Sequence, residues 1–412
     1  MKPVGPIPPG FVAAVDGMLA IGGHPVETLV AQAGHTPLFV YDAALVRLQA
    51  GRFRAAMPRR LQLHYAIKAN PFAPLLVAMT SLVDGFDVAS AGELDRALAA
   101  GMAASRISFA GPGKRDPELA AAIKAGVTVN LESTGEATRA IAIAAALSIR
   151  PRLAVRVNPD FELKGSGMRM GGGPKPFGID SEQVPALVRG LLQAGADWQG
   201  YHVFAGSQVL DPAALIEAQN ASLDLVAALT EEVGTPPPLV NLGGGFGVPY
   251  FAGMHPLDLD PIGANLRNHL QNLPEALQQT RFALELGRWL VAEAGIYITR
   301  IVDRKTSRGH VFLVCDGGMH HQLAASGNLG AVVRRNYPIA LASNFRGEPD
   351  VEPASVVGPL CTPLDILGDS VALPPANVGD LIAVFLAGAY GLTASPTGFL
   401  GHPAPRELLV SG

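Results

Sequence analysis

The chain has 412 residues, 49% of them apolar and 16% charged, with a formal net charge of −4 and only two cysteines, Cys315 and Cys361. That composition builds a large core and excludes a disordered chain. The near-balanced charge excludes a protein held to nucleic acid or to an anionic membrane by electrostatics, and two cysteines exclude a disulfide scaffold or a cysteine-rich zinc site. No run approaches the ~18 uninterrupted apolar residues of a membrane span, and the opening MKPVGPIPPG lacks an apolar signal core. The expected location is the cytoplasm.

In chain order, residues 1–35 read as an N-terminal segment that packs with a later β domain. From residue 36 to about 294, short β-rich runs alternate with helical patterns. The predicted strands are Leu63–Ile67, Val83–Val88, Ile107–Ala110, Val127–Leu131, Leu153–Asn158, Tyr201–Phe204, Leu239–Leu242 and Phe282–Leu286. Helical patterns between them include Gly92–Ala100, Pro117–Ala125, Thr134–Ala146, Ser181–Ala194 and Ala213–Glu232. Strands separated by helical crossovers pair in parallel. Eight such units over about 250 residues match an α/β fold, the (β/α)8 TIM-like barrel; an open doubly wound sheet is the competitor. Residues 295–412 change texture: "IYITRIVDRK", "GHVFLVCDGG" and "DLIAVFLAG" are strand-like without helices, which predicts a mainly antiparallel β domain.

Barrel sites lie at the C-terminal ends of the strands. Lys68 closes the run "LHYAIKANP", and Asp87, Arg156 with Asn158, Ser207, Gly243–Gly245, and Glu285 with Arg288 occupy the corresponding places. Alone, each has an ordinary reading: a solvated strand end for Lys68, a surface ion pair for "ELGR". Together, a lysine, an acid, an arginine and a triple glycine on one rim suit an anionic ligand with a reactive carbonyl. "NLGGGFG" lacks the G-x-G-x-x-G spacing of a dinucleotide site; its glycines instead let backbone N–H groups approach a phosphate. His255 and the pair His320–His321 have no partners at metal-ligand spacing, so no metal is expected and they read as loop or surface histidines.

These motifs, in this order, resemble the fold-type III pyridoxal-phosphate decarboxylases, which include diaminopimelate, ornithine, lysine and arginine decarboxylases. The resemblance runs from "TPLFVYD" to "FLGHPAPRELLV" through "YAIKAN", "GFDVASAGEL", "FGI", "GSQ", "GGGFG", "ELGR", "GPLC" and "GAYG". It implies a barrel followed by a β domain, and pyridoxal 5'-phosphate joined to Lys68 as a Schiff base. It implies that Ser207, Gly244, Gly245, Arg288 and Tyr390 hold the phosphate, that Asp87 supports the lysine end, and that Glu285 pairs with the pyridine nitrogen. Arg156 then positions Glu285 or the substrate. Cys361 matches the cysteine that reaches the neighbouring subunit's cofactor and returns a proton to Cα, which implies a homodimer with composite sites.

The chain departs from the family in three places. "FAGSQ" replaces "HIGSQ", so Phe204 stands where a histidine usually stacks on the pyridine ring; His202, two residues earlier, shares that face of the strand. The arginine that follows "DAGMND" in diaminopimelate decarboxylases falls at Ala324 or Ala325 of "DGGMHHQLAASGN", and Thr362 replaces the acid that follows the family cysteine. With both anchors missing, the expected substrate is an amino acid other than meso-diaminopimelate, with Arg334 or Arg335 as possible substitute anchors. The spellings most resemble the branch associated with bacterial exosortase and exopolysaccharide systems. The expected activity is amino-acid decarboxylation; a racemase and a non-catalytic cofactor-binding homologue are the alternatives.

Overall fold

Along the first long strand, Leu61, Leu63 and Tyr65 alternate with Gln62, His64 and Ala66, and the same two-residue period recurs in the strands that follow. The structure, a computed structural model, describes residues 1–165, 167–329, 334–346 and 350–411. It divides into two units: a barrel unit, Ala50–Gly247 with Pro256–Gly287, and a sheet unit, Met1–Gln49 with Val248–His255 and Arg288–Gly412.

In the barrel unit eight parallel strands close on themselves: β1 (Leu61–Ala66), β2 (Gly85–Val88), β3 (Ile107–Phe109), β4 (Thr128–Leu131), β5 (Arg152–Asn158), β6 (Asp197–Val203), β7 (Leu239–Asn241) and β8 (Arg281–Leu286). β8 returns to β1 in register, Glu285 opposite His64 and Leu286 opposite Tyr65. This is the expected (β/α)8 barrel rather than an open sheet. Helices follow the strands, and two begin on a serine with a glutamate three residues later. Glu93 N donates to Ser90 Oγ at 3.2 Å and Glu136 N to Ser133 Oγ at 3.0 Å, while Glu93 and Glu136 reach back to the backbone N–H groups of Ala89 and Glu132. Such caps satisfy donors that the first helical turn leaves open, and they fix where each strand-to-helix turn stands. Leu61, Leu63, Tyr65, Phe86, Phe109, Val129, Leu153 and Phe282 are all buried.

The polar alternates line the inside. A cavity of about 90 Å³ is bordered by Gln62, His64, Asn130, Arg152, Tyr201 and Arg281, among other residues drawn from seven of the eight strands. The strand readings from sequence therefore found the apolar half of each strand, which faces away from this polar lumen.

The sheet unit is organised around the strand Gly295–Ser307, which pairs antiparallel with Leu38–Asp42, His310–Cys315 and Leu381–Val384. Arg406–Val410 joins Leu38–Asp42 in parallel, and Glu352–Val357 joins His310–Cys315 in parallel, so the sheet is mainly but not wholly antiparallel. Phe11, Leu19, Ile21 and Leu29 of the N-terminal segment pack in one core with Leu38, Val40, Ile296, Ile298, Leu381 and Phe385. The division of the chain differs from the boundary of 36–294 read from sequence. Leu38–Asp42 lies inside that boundary, yet its hydrogen bonds go to Gly295–Ser307 and Arg406–Val410, so residues 36–49 belong to the sheet unit.

Closure of the barrel leans on one close approach. The β5–β6 register slips between Trp198 and Gly200, where φ is +118° and a Cβ would stand 1.8 Å from the Leu239 carbonyl oxygen. Only glycine fits both constraints. Gly200→Ala should therefore lower the free energy of unfolding by more than about 3 kcal/mol in urea titration; an unfolding midpoint equal to wild type would contradict this packing.

Candidate active site

The sequence places Glu285 at the end of β8, and the fold buries it: the residue is 6% exposed. Its two oxygens have separate partners. Oε2 lies 3.0 Å from Nε2 of His202 on β6, and Oε1 lies 3.8 Å from Nζ of Lys68, which stands in a single 3₁₀ turn, Ile67–Ala69, at the end of β1. Burial alone would push the Glu285 carboxyl up, but the His202 hydrogen bond and the charges of Lys68 and Arg156 outweigh it and hold the pKa at about 2. Phe204 brings its ring face to within 5.5 Å of the Lys68 ammonium. The Lys68 side chain remains 41% exposed, so its amine is reachable.

Arg156 acts on Glu285 through its charge and has its hydrogen-bonded acid elsewhere. Its Nη1 donates to Glu132 Oε1 at 2.9 Å, and its guanidinium stands 5.1 Å from the ring centroid of Phe177. Glu132 also accepts from the backbone N–H groups of Gly111 and Gly178. Lys114, buried, meets Glu136 at 2.7 Å. Burial opposes the charge on Glu132, but Arg156 and Lys114 hold its carboxyl below the ordinary range. Glu132, Lys114 and Glu136 were not singled out from sequence, and "NLESTGE" carries the one signal, an acid just before a serine cap.

The glycine run of "NLGGGFG" is folded by necessity. Gly243 N donates to Asn241 Oδ1 at 2.9 Å, Glu285 N donates to Gly243 O at 2.7 Å, and a Cβ on Gly244 would stand 1.9 Å from the Glu285 carbonyl oxygen. Gly245 has φ of +91°. Ser207 Oγ is buried with no partner among the described residues. Asp87 turns inward, accepting from Ser108 Oγ and standing 3.4 Å from His64 Nδ1.

In the sheet unit the Arg288 guanidinium lies 4.8 Å from the ring centroid of Tyr390 and donates to Tyr250 Oη at 3.4 Å. Cys361 is exposed and not in a disulfide. Asp365, four residues later, was missed from sequence. Its carboxylate accepts from Met319 N at 2.6 Å and Leu360 N at 2.9 Å, and fills the space where Cβ atoms on Gly318 and Gly358 would fall. One buried acid thus ties "GPLC" to "DGGMHH".

The surface reading of His320 and His321 is corrected: both are fully buried, their rings 3.7 Å apart, because His321 is held between Tyr297 Oη at 3.1 Å and the Pro403 carbonyl at 3.0 Å. Burial and the neighbouring histidines lower their pKa values to about 4 and about 3, so both are neutral. His255 is exposed. No cluster of metal-ligating side chains occurs among the described residues.

Residues 43–292 match the family model described as "Pyridoxal-dependent decarboxylase, pyridoxal binding domain". The chain belongs to the pyridoxal-dependent decarboxylase family. It is 37% identical over 379 residues, 91% of this chain and 88% of the relative, to the L-glutamyl-[BtrI acyl-carrier protein] decarboxylase of Niallia circulans. It is 31% identical over 403 residues, 96% of this chain and 91% of the relative, to the diaminopimelate decarboxylase of Methanothermobacter thermautotrophicus. The structure of a diaminopimelate decarboxylase from M. jannaschii in co-complex with L-lysine superposes with a TM-score of 0.89 at 26% identity, covering 98% of this chain and 93% of the other. The protein is a pyridoxal-phosphate-dependent decarboxylase.

The barrel residues fit that cofactor: a reachable amine, a carboxylate that stays ionised, and a glycine turn beside a buried, unpartnered Ser207 hydroxyl. Because the Glu285 carboxyl is held at about 2 against an ordinary 4.5, its ionised form adds stability that is complete above about pH 4.5 and is lost as pH falls toward 2. In denaturation experiments, wild type should lose stability relative to Glu285→Gln as pH falls from 4.5 toward 2; a constant difference would show that Glu285 is not held ionised by His202 and Lys68.

Proposed function

We propose that the protein decarboxylates an α-amino acid whose distal end is uncharged, with pyridoxal phosphate attached at Lys68. Bound there, the cofactor supplies an electron sink for the charge left on Cα when carbon dioxide departs. The single observation that carries the assignment of Lys68 is its place opposite Glu285 at the strand ends, 3.8 Å away. Lys68 contributes the amine that holds the cofactor. Glu285, ionised throughout the neutral range, holds the proton of the pyridine nitrogen, and His202 fixes that carboxylate in place through its 3.0 Å hydrogen bond. Phe204 covers one face of the ring space by the Lys68 amine. Ser207 and the backbone at Gly244 and Gly245 take the phosphate, and the assignment of Arg288 and Tyr390 to the same group rests on resemblance. An acid at the pyridine nitrogen favours decarboxylation over racemisation, because it strengthens the sink.

The substrate reading rests on the segment after "DGGM". Ala324, Ala325 and Thr362 carry no charge, and His320 and His321 are neutral. Arg334 donates to the Leu364 carbonyl at 3.2 Å and Arg335 lies 4.0 Å from the ring centroid of Phe251, so both are already engaged. A site without a matching charge disfavours a substrate that must bury one. The relative from N. circulans acts on an L-glutamyl group carried by an acyl-carrier protein, which accords with a blocked, uncharged end.

Loaded with pyridoxal phosphate, the protein should release carbon dioxide from glutamine-like or side-chain-acylated amino acids at least about tenfold faster than from meso-diaminopimelate, lysine or ornithine, and Lys68→Ala should lose the visible cofactor band. Meso-diaminopimelate as the best substrate would overturn the substrate class; an intact band in Lys68→Ala would overturn the lysine assignment.

We further propose a cytoplasmic homodimer in which Cys361 of one subunit returns the proton to Cα at the other subunit's Lys68. An exposed thiol supports this, with the exposed apolar Leu364 three residues on and Leu329 next to Asn328, which hydrogen-bonds Leu364. Unpaired cysteines accord with a reducing compartment. Mixing Lys68→Ala and Cys361→Ala chains, each inactive alone, should restore about a quarter of wild-type activity, since half the dimers are mixed and each holds one intact site. No restoration on mixing refolded chains would sink the shared site.

A further inference from the structure

The barrel unit also holds a buried histidine–aspartate contact, level with Glu285, that the chemistry described so far does not employ. His64 lies on β1 four residues before Lys68, is 6% exposed, and stands in register with Glu285 on β8 and Gly85 on β2. Its Nδ1 is 3.4 Å from Asp87 Oδ2 and its Nε2 is 3.3 Å from Gln62 Oε1. Gly85 makes room for the ring: a Cβ there would lie 3.0 Å from His64 Nε2 and 2.7 Å from the Arg106 carbonyl oxygen.

The ring also borders the cavity of about 90 Å³ at the N-terminal ends of the strands, enough space for about three waters through which a proton can exchange. The ionisable groups around the ring and cavity are Asp87 and Asp84 from the β2 segment, Glu285 and Arg281 from β8, Arg106 before β3, Arg152 from β5 and Tyr201 from β6. Arg106 is occupied by the carbonyls of Val83 and Asp84, and Arg152 by Gln199 and Asp197. The charges that act most strongly on His64 are the carboxylates of Asp87, Glu285 and Asp84. Burial alone would lower the imidazole pKa, but Asp87 first, then Glu285 and Asp84, raise it above 6.5.

We propose that His64 is a positioning residue for the cofactor lysine: as an imidazolium it balances Asp87 inside the barrel, leaving Glu285 as the carboxylate that Lys68 must answer. The proposal rests on the reading of Lys68 as the attachment point. An unbalanced Asp87 would add one negative charge near Lys68 and stabilise its ammonium form, which cannot form an imine. From His64 the strand runs two residues to Ala66 and the 3₁₀ turn two more to Lys68, at most about 11 Å, and one unit charge at that distance, in a medium of effective dielectric about 20, moves a lysine by about one pH unit.

The test is the uptake of pyridoxal phosphate by cofactor-free protein, followed by its visible band from pH 6 to pH 10. In His64→Gln uptake should be about tenfold slower at pH 6, where wild-type His64 carries its proton, and equal to wild type at the alkaline end. The stability deficit of the variant should also be largest below pH 6.5, where a pair formed by a raised-pKa histidine is complete, and should fade as pH rises through the native value. Uptake equal to wild type at pH 6, or a deficit equal at pH 5.5 and pH 9, would reduce His64 to a packing residue and overturn the proposal. A wild-type measurement needs no variant to fold: histidine-ring NMR should give His64 a midpoint above 6.5, and a midpoint below it overturns the proposal equally. Failure of the Lys68 assignment is read separately, from the band in Lys68→Ala, and leaves the His64 titration standing.

Discussion

A carboxylate held inside a closed barrel sets the terms for everything around it. Removing Glu285 from water is costly unless its charge is answered at close range. The fold answers with a histidine two strands away, a lysine at the end of the adjacent strand, and Arg156 acting at longer range. Each of these groups needs its own place. His202 must stand on β6 with its ring turned inward, so β6 must meet β7 at the tight contact where only Gly200 fits. Lys68 must leave the strand on a single 3₁₀ turn, so that its amine arrives beside the acid rather than continuing along the wall.

The same constraint explains why the lumen is ionic rather than oily. Parallel barrels of this kind are usually filled by branched apolar side chains. Here polar and charged partners gather in the strands and in the turns and helix starts that follow them: Lys114 with Glu136, Arg156 with Glu132, Lys68 and His202 with Glu285, and His64 with Asp87. No member can be removed singly without stranding its partner in a low-dielectric space, which is far more damaging than removing both. The apolar work is done outside the strands, by Leu63, Tyr65, Phe86, Phe109 and Phe282 beneath the helices.

Much of this was legible from sequence because the barrel repeats one local pattern. Apolar alternation and serine caps mark the strands and helix starts, and the polar residue at each strand end marks the rim, as with Lys68, Asp87 and Glu285. What could not be read are pairings that depend on closure. Glu132 meets Arg156 only because β4 and β5 are neighbours in the finished ring, and nothing in "NLESTGE" says so. His320 and His321 look solvent-facing in a glycine-rich stretch, yet Tyr297 and Pro403, distant in sequence, enclose one of them. The run Leu38–Asp42 has the composition of a barrel strand, and only its hydrogen bonds to Gly295–Ser307 and Arg406–Val410 place it in the other unit.

That last strand bears on how the molecule comes into being. Leu38–Asp42 emerges early from the ribosome, but its parallel neighbour Arg406–Val410 comes last, and the Tyr41–Glu407 hydrogen bond spans 366 residues. Every barrel strand lies between them and can close while the sheet unit still lacks its final member. Until then a fully apolar strand edge, Leu38, Phe39 and Val40, is presented during synthesis without its partner. Ordering of the sheet unit is thus tied to the synthesis of residues 406–410, and a ribosome stalled before them would hold a closed barrel together with a sheet whose edge is open and adhesive.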